Sequence, residues 1–422
     1  MIHFAKPMIG IEEAEAVSRT VLSGWVTQGP KTLEFEKEFS KVVTTSFSCA
    51  VTNGTAALII GLKAVGVKPG DVVITVSHSF IATANAIRLC GAEPIFVDID
   101  PSSFNIDPNQ IEETLQENCE QREDGFYYKY VENISLGDSP LKYFYSLNKS
   151  NKIGKVSAIL PVHQYGMPCD LKKILEISSR YNIPVVEDAA CALRSEISFD
   201  RGKSWEKIGK PHGAVACFSF HPRKIITTGE GGMLTTIDSD IDRLFRLSRH
   251  HGMNISDHSR NKSNEIVIEE YLSTGNNYRL SDLHASMGLE QLKKLEKIYS
   301  MRRAIGSFYK RLLIDMSWIQ VQRESDNCHT NYQTFPILLS QDLPFQRNEL
   351  MQYLLEKGIA TRRANINAHE ELPYRFQKWS LPVSEALSDR GLAIPLYPEL
   401  KEEEATKCID AIKEFHDKKS RN

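Results

Sequence analysis

Short apolar runs alternate, over the first two thirds of the chain, with stretches whose apolar positions recur at helical spacing. Val72–Val76, Glu93–Val97, Ala158–Val162 and Pro184–Val186 read as strands that end near polar or small residues. Between them, Thr83–Cys90 and Leu171–Tyr181 carry the period of amphipathic helices, the second with Asp170 as N-cap. Strands alternating with helices predict an α/β fold with a parallel sheet. In such sheets ligands gather beyond the carboxyl ends of the strands, which singles out Ser77–Phe80, His163 and Asp188.

From Ser281 the pattern turns to long helical stretches, DLHASMGLEQLKKLEKIYSMRRAIGSFYKRLL, with Thr334–Leu339 and Leu392–Pro395 as strand pieces beyond them. The expected organisation is an N-terminal arm over residues 1–25, a large domain over 26–285 and a smaller C-terminal domain over 286–422. Glu117–Gly154 breaks the rhythm, being aromatic, charged and too long for an ordinary connection. We expect a surface elaboration with an extra hairpin there, in preference to a functional lid.

The 422 residues, 41% of them hydrophobic, can bury a large core and a smaller one. Lys and Arg number 51 against 54 Asp and Glu, a net charge of −3, which gives no case for a nucleic-acid or membrane-surface partner. Any phosphate must then be held locally. The eight cysteines fall in no C-x-x-C pair, so neither a metal site nor a disulfide framework is expected, and a reducing cytoplasm fits. The opening MIHFAKPMIG lacks a charged region followed by an apolar one, and no window approaches a membrane span.

The stretch Phe218–Lys224, continuing as IITTGEGG, sets one lysine beside Arg223 and His221 after an apolar run. A lysine forms covalent bonds only as the neutral amine, which desolvation or nearby positive charge favours. Ser219 could hold a phosphate oxygen while Lys224 reaches the other end of a ring, the outline of pyridoxal phosphate. Glycines at 229, 231 and 232 permit a sharp turn beside a bulky ligand. The plainer alternative is a hairpin with a solvated lysine. Upstream, VVEDAA closes an apolar strand with two carboxylates on opposite sides of the chain, and Asp188 is the candidate for a ring nitrogen; a helix-capping aspartate is the alternative. Gly54 and Thr55 open a helix whose free amides would favour a phosphate, or they are an ordinary capped start. Phe80 offers a stacking face, although a lone phenylalanine is more often core.

Taken in order, GWVTQGPKTLEFEKEF, TNGTAAL, SFIATANAI, GAEPIFVDID, PVHQYGMPCDL, VVEDAA, FSFHPRKIITTGEGGML, GNNYRLSDLHASMGLEQL and IPLYPEL resemble the DegT/DnrJ/EryC1/StrS family of pyridoxal-phosphate sugar aminotransferases over nearly the whole chain. The resemblance implies fold type I, a large domain with a mostly parallel sheet flanked by helices and a smaller C-terminal α+β domain. It implies that Lys224 anchors the cofactor covalently and Asp188 partners the pyridine nitrogen. It further implies that Thr55, Ser219 and the backbone at Ala56 hold the phosphate and that Phe80 stacks on the ring. Asn277 would reach the cofactor of a neighbouring subunit, placing the site at a homodimer interface. The chain departs from the family at Cys191, where glutamine or histidine is usual near the ring hydroxyl. A thiol is a poorer hydrogen-bond partner, and His163 is the expected substitute. The Glu117–Gly154 insertion is a second departure.

By the same resemblance, L-glutamate gives its amino group and a nucleotide-linked keto-deoxysugar accepts it, with Lys224 also moving the proton. A diphosphate needs cations: Arg362 and Arg363, with His329 and His369, are the candidate contacts, against the alternative of a solvated strand edge. Still open are a free keto-sugar or cyclitol as acceptor, a pyridoxamine-dependent dehydratase, whose lysine is replaced by histidine, and a non-catalytic relative.

Overall fold

A computed structural model describes residues 1–146, 153–255, 260 and 266–421. Seven strands build the main layer: β1 (Phe47–Val51), β2 (Val72–Val76), β3 (Glu93–Val97), β4 (Val156–Leu160), β5 (Val186–Asp188), β6 (Val215–Ser219) and β7 (Gly232–Thr236). Their order is β3-β2-β4-β5-β6-β7-β1, where parallel bridges Ile159–Val185 and Val162–Asp188 join β4 to β5. Neighbours are parallel except at β7, which runs against both β6 and β1. Every residue of β2 and β3 is buried, as a strand covered on both faces requires, and this is why both read as mainly apolar runs, broken only by Thr75 and Glu93. One face packs under Phe35, Phe39, Phe218 and Phe220, whose rings meet edge to face at 5.1–6.2 Å. The other lies against the helix Gly54–Ala64, through Leu58, Ile60 and Leu62.

A four-stranded antiparallel sheet forms the second layer: β8 (Ile319–Val321), β9 (Phe335–Leu339), β10 (Arg362–Arg363) and β11 (Gly391–Ile394), in the order β8-β9-β11-β10. The helix Asp282–Leu313, capped by Ser281, serves both cores. Ala285, Leu289, Leu295 and Ile298 join the first, and Ile305, Tyr309 and Leu313 the second. At the other terminus Ile2 bridges Ile359, carrying Phe4 and Ala5 across to the cavity described below.

The helix Leu171–Tyr181 lies where its periodicity predicts, with Asp170 accepting from Lys173 N–H at 3.3 Å. Two strands of the main layer are displaced from expectation by two residues at both ends, β4 toward the N-terminus and β5 toward the C-terminus. β4 begins at Val156 and β5 ends at Asp188, because pairing of Glu187 and Asp188 with Ala216 and Cys217 carries β5 through two residues too polar to read as strand. In the 117–154 stretch, Cys119–Arg122 and Gly125–Tyr128 form an antiparallel hairpin, followed by short helices at Val131–Ile134 and Leu141–Ser146. The part of that stretch over 147–152 lies outside the described residues. Among the described residues, no helix is long and apolar enough to cross a membrane.

Candidate active site

β1, β2, β5 and β6 point their carboxyl ends the same way, and residues at or just beyond those ends, Asn53–Ala56, Ser79 and Phe80, Asp188 with Ala190 and Cys191, and Ser219 with His221, Arg223 and Lys224, line one cavity of about 860 Å³. Its size suits a small-molecule site. A second depression, about 760 Å³ between the helices Ile11–Leu22, Pro30–Val43 and Asp282–Leu313, contains none of these groups.

Lys224 lies on the loop between β6 and β7, so the hairpin reading is right about topology: Ser219 and Gly232 are paired across the two strands. The lysine is nevertheless part-buried, with Nζ 3.2 Å from Cys191 Sγ. Thr227 hydroxyl and Thr228 N–H both donate to Phe220 O, at 2.7 and 3.1 Å, and tie the loop down. Gly229 adopts φ +84. Gly232 is needed for space instead, since a Cβ there would lie 2.4 Å from Asn53 O.

Alternation along β5 sends Asp188 into the cavity and Glu187 away from it. Asp188, 4% exposed, accepts from Thr83 hydroxyl at 2.9 Å and from Ala190 N–H at 3.2 Å. Burial raises its pKa, against the pull of those two bonds and of the Lys224 charge. A buried carboxylate so placed favours a cationic partner in the cavity. Glu187 accepts from His212 N–H, Gly213 N–H and His163 Nε2–H at 2.8, 2.9 and 3.2 Å. Although burial works to raise its pKa, the bonds from His163 and His212 hold it well below the usual carboxylate range.

This arrangement relocates His163. Its Nδ1 accepts from Cys169 N–H at 3.0 Å and its Nε2 faces Glu187, so the ring is spoken for on the far side of β5 and does not line the cavity. Cys191 does line it.

Asn53 caps the helix Gly54–Ala64 by accepting from Ala56 N–H at 2.8 Å. That bond occupies the Ala56 amide and leaves the first-turn donors at Gly54 and Thr55. A Cβ on Gly54 would lie 2.8 Å from Ser219 Cβ, so only glycine lets the helix start approach the β6 hydroxyl this closely. Phe80, 62% exposed, stands in the cavity wall.

Arg362 and Arg363 line the solvent side with Arg223, and Arg363 reaches Glu371 at 3.6 Å. The two candidate histidines lie elsewhere. His329 stacks on Trp205 at 3.6 Å between ring centroids, and His369 Nδ1 is 2.6 Å from Ser77 Oγ. Asn277 is exposed and outside the cavity of its own chain, bridging His250 beside the cavity residue Tyr278. Sequence reading missed Thr83, which it placed as the start of a helix, and the cavity residues Tyr165, Gln164, Asn365 and Tyr278.

The donor set fits pyridoxal phosphate. Helix-start amides with two hydroxyls, at Thr55 and Ser219, suit a phosphate, the buried Asp188 suits a ring cation, and among the described residues Lys224 Nζ is the one amine beside them in the cavity wall.

A model of the DegT/DnrJ/EryC1/StrS aminotransferase family matches residues 7–126 and 145–413, and the break falls inside the 117–154 stretch. The chain is 31% identical over 415 residues to the uncharacterized protein MJ1066 of Methanocaldococcus jannaschii, covering 97% of this chain and 96% of that one. Among solved structures, the aminotransferase TlmJ from Streptoalloteichus hindustanus matches with 26% identity, 98% of each chain covered and a TM-score of 0.79. Spr1654 from Streptococcus pneumoniae, in its PLP-form, shares the fold at 23% identity, 99% of each chain and a TM-score of 0.81.

Proposed function

We propose that this chain, which belongs to the DegT/DnrJ/EryC1/StrS aminotransferase family and is a pyridoxal-phosphate-dependent aminotransferase, moves an amino group from L-glutamate to a nucleotide-linked keto-deoxysugar. The observation that carries the reading is the polarity of the cavity. Lys224 and Asp188 lie at its inner end, while Arg223, Arg362 and Arg363 line its exposed side.

When bound, pyridoxal phosphate supplies a ring that draws off the electron pair left at the substrate carbon. The chain's own groups do the rest. Gly54 and Thr55 amides with the Thr55 and Ser219 hydroxyls would hold the phosphate, Phe80 would cover a ring face, and the Asp188 carboxylate would favour a protonated ring nitrogen. Thr83 hydroxyl orients that carboxylate. Lys224 Nζ would be the anchor for the cofactor and, as a free amine, the base that holds and moves the proton of the substrate carbon. The arginines offer planar donors to the carboxylates of glutamate and to the diphosphate of the acceptor.

In this reading the enzyme works in the cytoplasm as a homodimer, with the partner's copy of Asn277 completing the phosphate site. Its product is an amino sugar for surface polysaccharide or related synthesis. Turnover of keto-sugars with and without the nucleotide tests the acceptor. Nucleotide-linked sugars should be strongly preferred; equal turnover of the free sugars would displace this reading in favour of a free keto-sugar or cyclitol.

A further inference from the structure

β2 ends at Val76, and the next residues pair with a segment nearly three hundred positions away. Ser79 N–H donates to Ile366 O at 3.2 Å and Ala368 N–H to Ser77 O at 2.9 Å, so residues 365–369 lie antiparallel to 77–79 like an added strand. Ser77 hydroxyl sits 2.6 Å from His369 Nδ1 and accepts from His369 N–H at 3.0 Å. This segment starts two residues after Arg363. Whatever fixes it therefore fixes the two arginines of β10 against the stretch that carries Phe80.

At the centre of the clamp is His78, wholly buried. Its Nδ1–H donates to Asn367 Oδ1 at 2.9 Å, its Nε2 accepts from Tyr165 hydroxyl at 2.8 Å, and the Gln164 side-chain amide donates to its carbonyl. Burial pushes its pKa down to about 4, so the ring is neutral at working pH and keeps one tautomer. Tyr165 lines the cavity with φ +60, a left-handed conformation that is strained for a non-glycine residue. Gly166 follows at φ +95, where a Cβ would lie 1.9 Å from Asn331 Oδ1. The hydroxyl bond to His78 secures a ring whose backbone is strained. His78 itself does not line the cavity.

We propose that His78 is a positioning residue: its imidazole locks Tyr165 and the Arg362–Asn365 segment into the cavity wall beside Phe80, and so sets the affinity for the anionic acceptor without touching it. This rests on the reading of Arg362 as an acceptor contact. Of the groups assigned to the cofactor, Lys224, Asp188, Gly54, Thr55 and Ser219 stand on other segments, while Phe80 follows His78 by two residues and meets only a face of the ring.

The test uses the full-length holoenzyme, L-glutamate and a nucleotide-linked 4-keto-6-deoxysugar, in the variants His78→Leu, Asn367→Leu, Asn367→Asp and Arg362→Gln. His78→Leu and Asn367→Leu should each raise the acceptor KM about ten-fold, with kcat, the glutamate KM and pyridoxal phosphate affinity changed less than about three-fold. Asn367→Asp keeps the acceptor atom for Nδ1–H and should keep the acceptor KM within about three-fold of the parent. Adding Arg362→Gln to His78→Leu should raise KM no further than Arg362→Gln alone, because His78 acts through the arginine. Should His78→Leu not fold, the two Asn367 variants carry the comparison. An unchanged acceptor KM in the leucine variants, or equal losses in cofactor binding and both KM values, overturns the positioning role. If Arg362→Gln alone leaves the acceptor KM unchanged, the acceptor contact fails and the His78 inference falls with it. If Arg362→Gln raises KM and the leucine variants do not, only the inference falls.

Discussion

The inner and outer ends of the cavity are built from opposite materials. At the inner end, Asp188 is buried on a central strand and bonded twice, and Gly54 is packed against Ser219 so closely that no side chain fits between them. At the outer end, Arg362 and Arg363 are exposed on a two-residue edge strand, and Phe80 is mostly exposed. Rigid placement at the inner end comes from the sheet itself, where strand register decides which carboxylate faces the ligand. At the outer end it comes from a tertiary clamp, the pairing of 365–369 with 77–79. Changes at the inner end should therefore reach the cofactor and kcat, and changes at Arg362 and Arg363 only the substrate's KM.

The hardest test of that division is Asp188→Asn, which keeps the shape and removes the charge. It should lower kcat at least about 100-fold, the scale of losing one preorganised electrostatic partner, with the acceptor KM little changed. A variant with near-parental kcat would remove Asp188 from its assigned place. Gly54→Ala comes next, since its Cβ must displace Ser219; overpacking of this kind costs about 1–3 kcal/mol. We expect pyridoxal phosphate affinity to fall about ten-fold in a spectroscopic titration.

Thr83→Val is milder and carries a pH signature. The threonine hydroxyl favours the charged form of Asp188, so its loss raises a carboxyl pKa that burial has already raised. Because the carboxylate must be ionised to partner a ring cation, the fall in cofactor affinity on acidification should begin at higher pH than in the parent. Identical pH profiles would show that Thr83 does not tune Asp188. Smallest of all is Arg363→Gln, which should raise the acceptor KM about three-fold and leave cofactor binding untouched, given its exposure and its contact with Glu371.

The same contrast explains what could be read from the chain. β2, β3 and the Leu171–Tyr181 helix were legible because burial on both faces, or on one stripe, writes a local pattern. Lys224, Asp188 and the Gly54–Thr55 pair were legible as chemistry because each sits in a short motif directly after a strand. His163 misled for the same reason: it also follows a strand, but a buried bond to Glu187 on the other face of β5 claims its ring. His329 and His369 suggested cation contacts by residue type, whereas Trp205 and Ser77 hold them outside the cavity. Tyr165 stayed hidden because its place depends on a positive φ and on a bond to His78, 87 positions away, and neither leaves a local pattern.

The bond that Lys224 is assigned to form can be trapped directly. Borohydride reduction of the protein loaded with pyridoxal phosphate, followed by peptide mass mapping, should find the reduced cofactor on the peptide containing Lys224 and on no other. Lys224→Ala should lose both the label and amino transfer. A protein that takes up no cofactor, or one labelled at another lysine, would contradict the assignment.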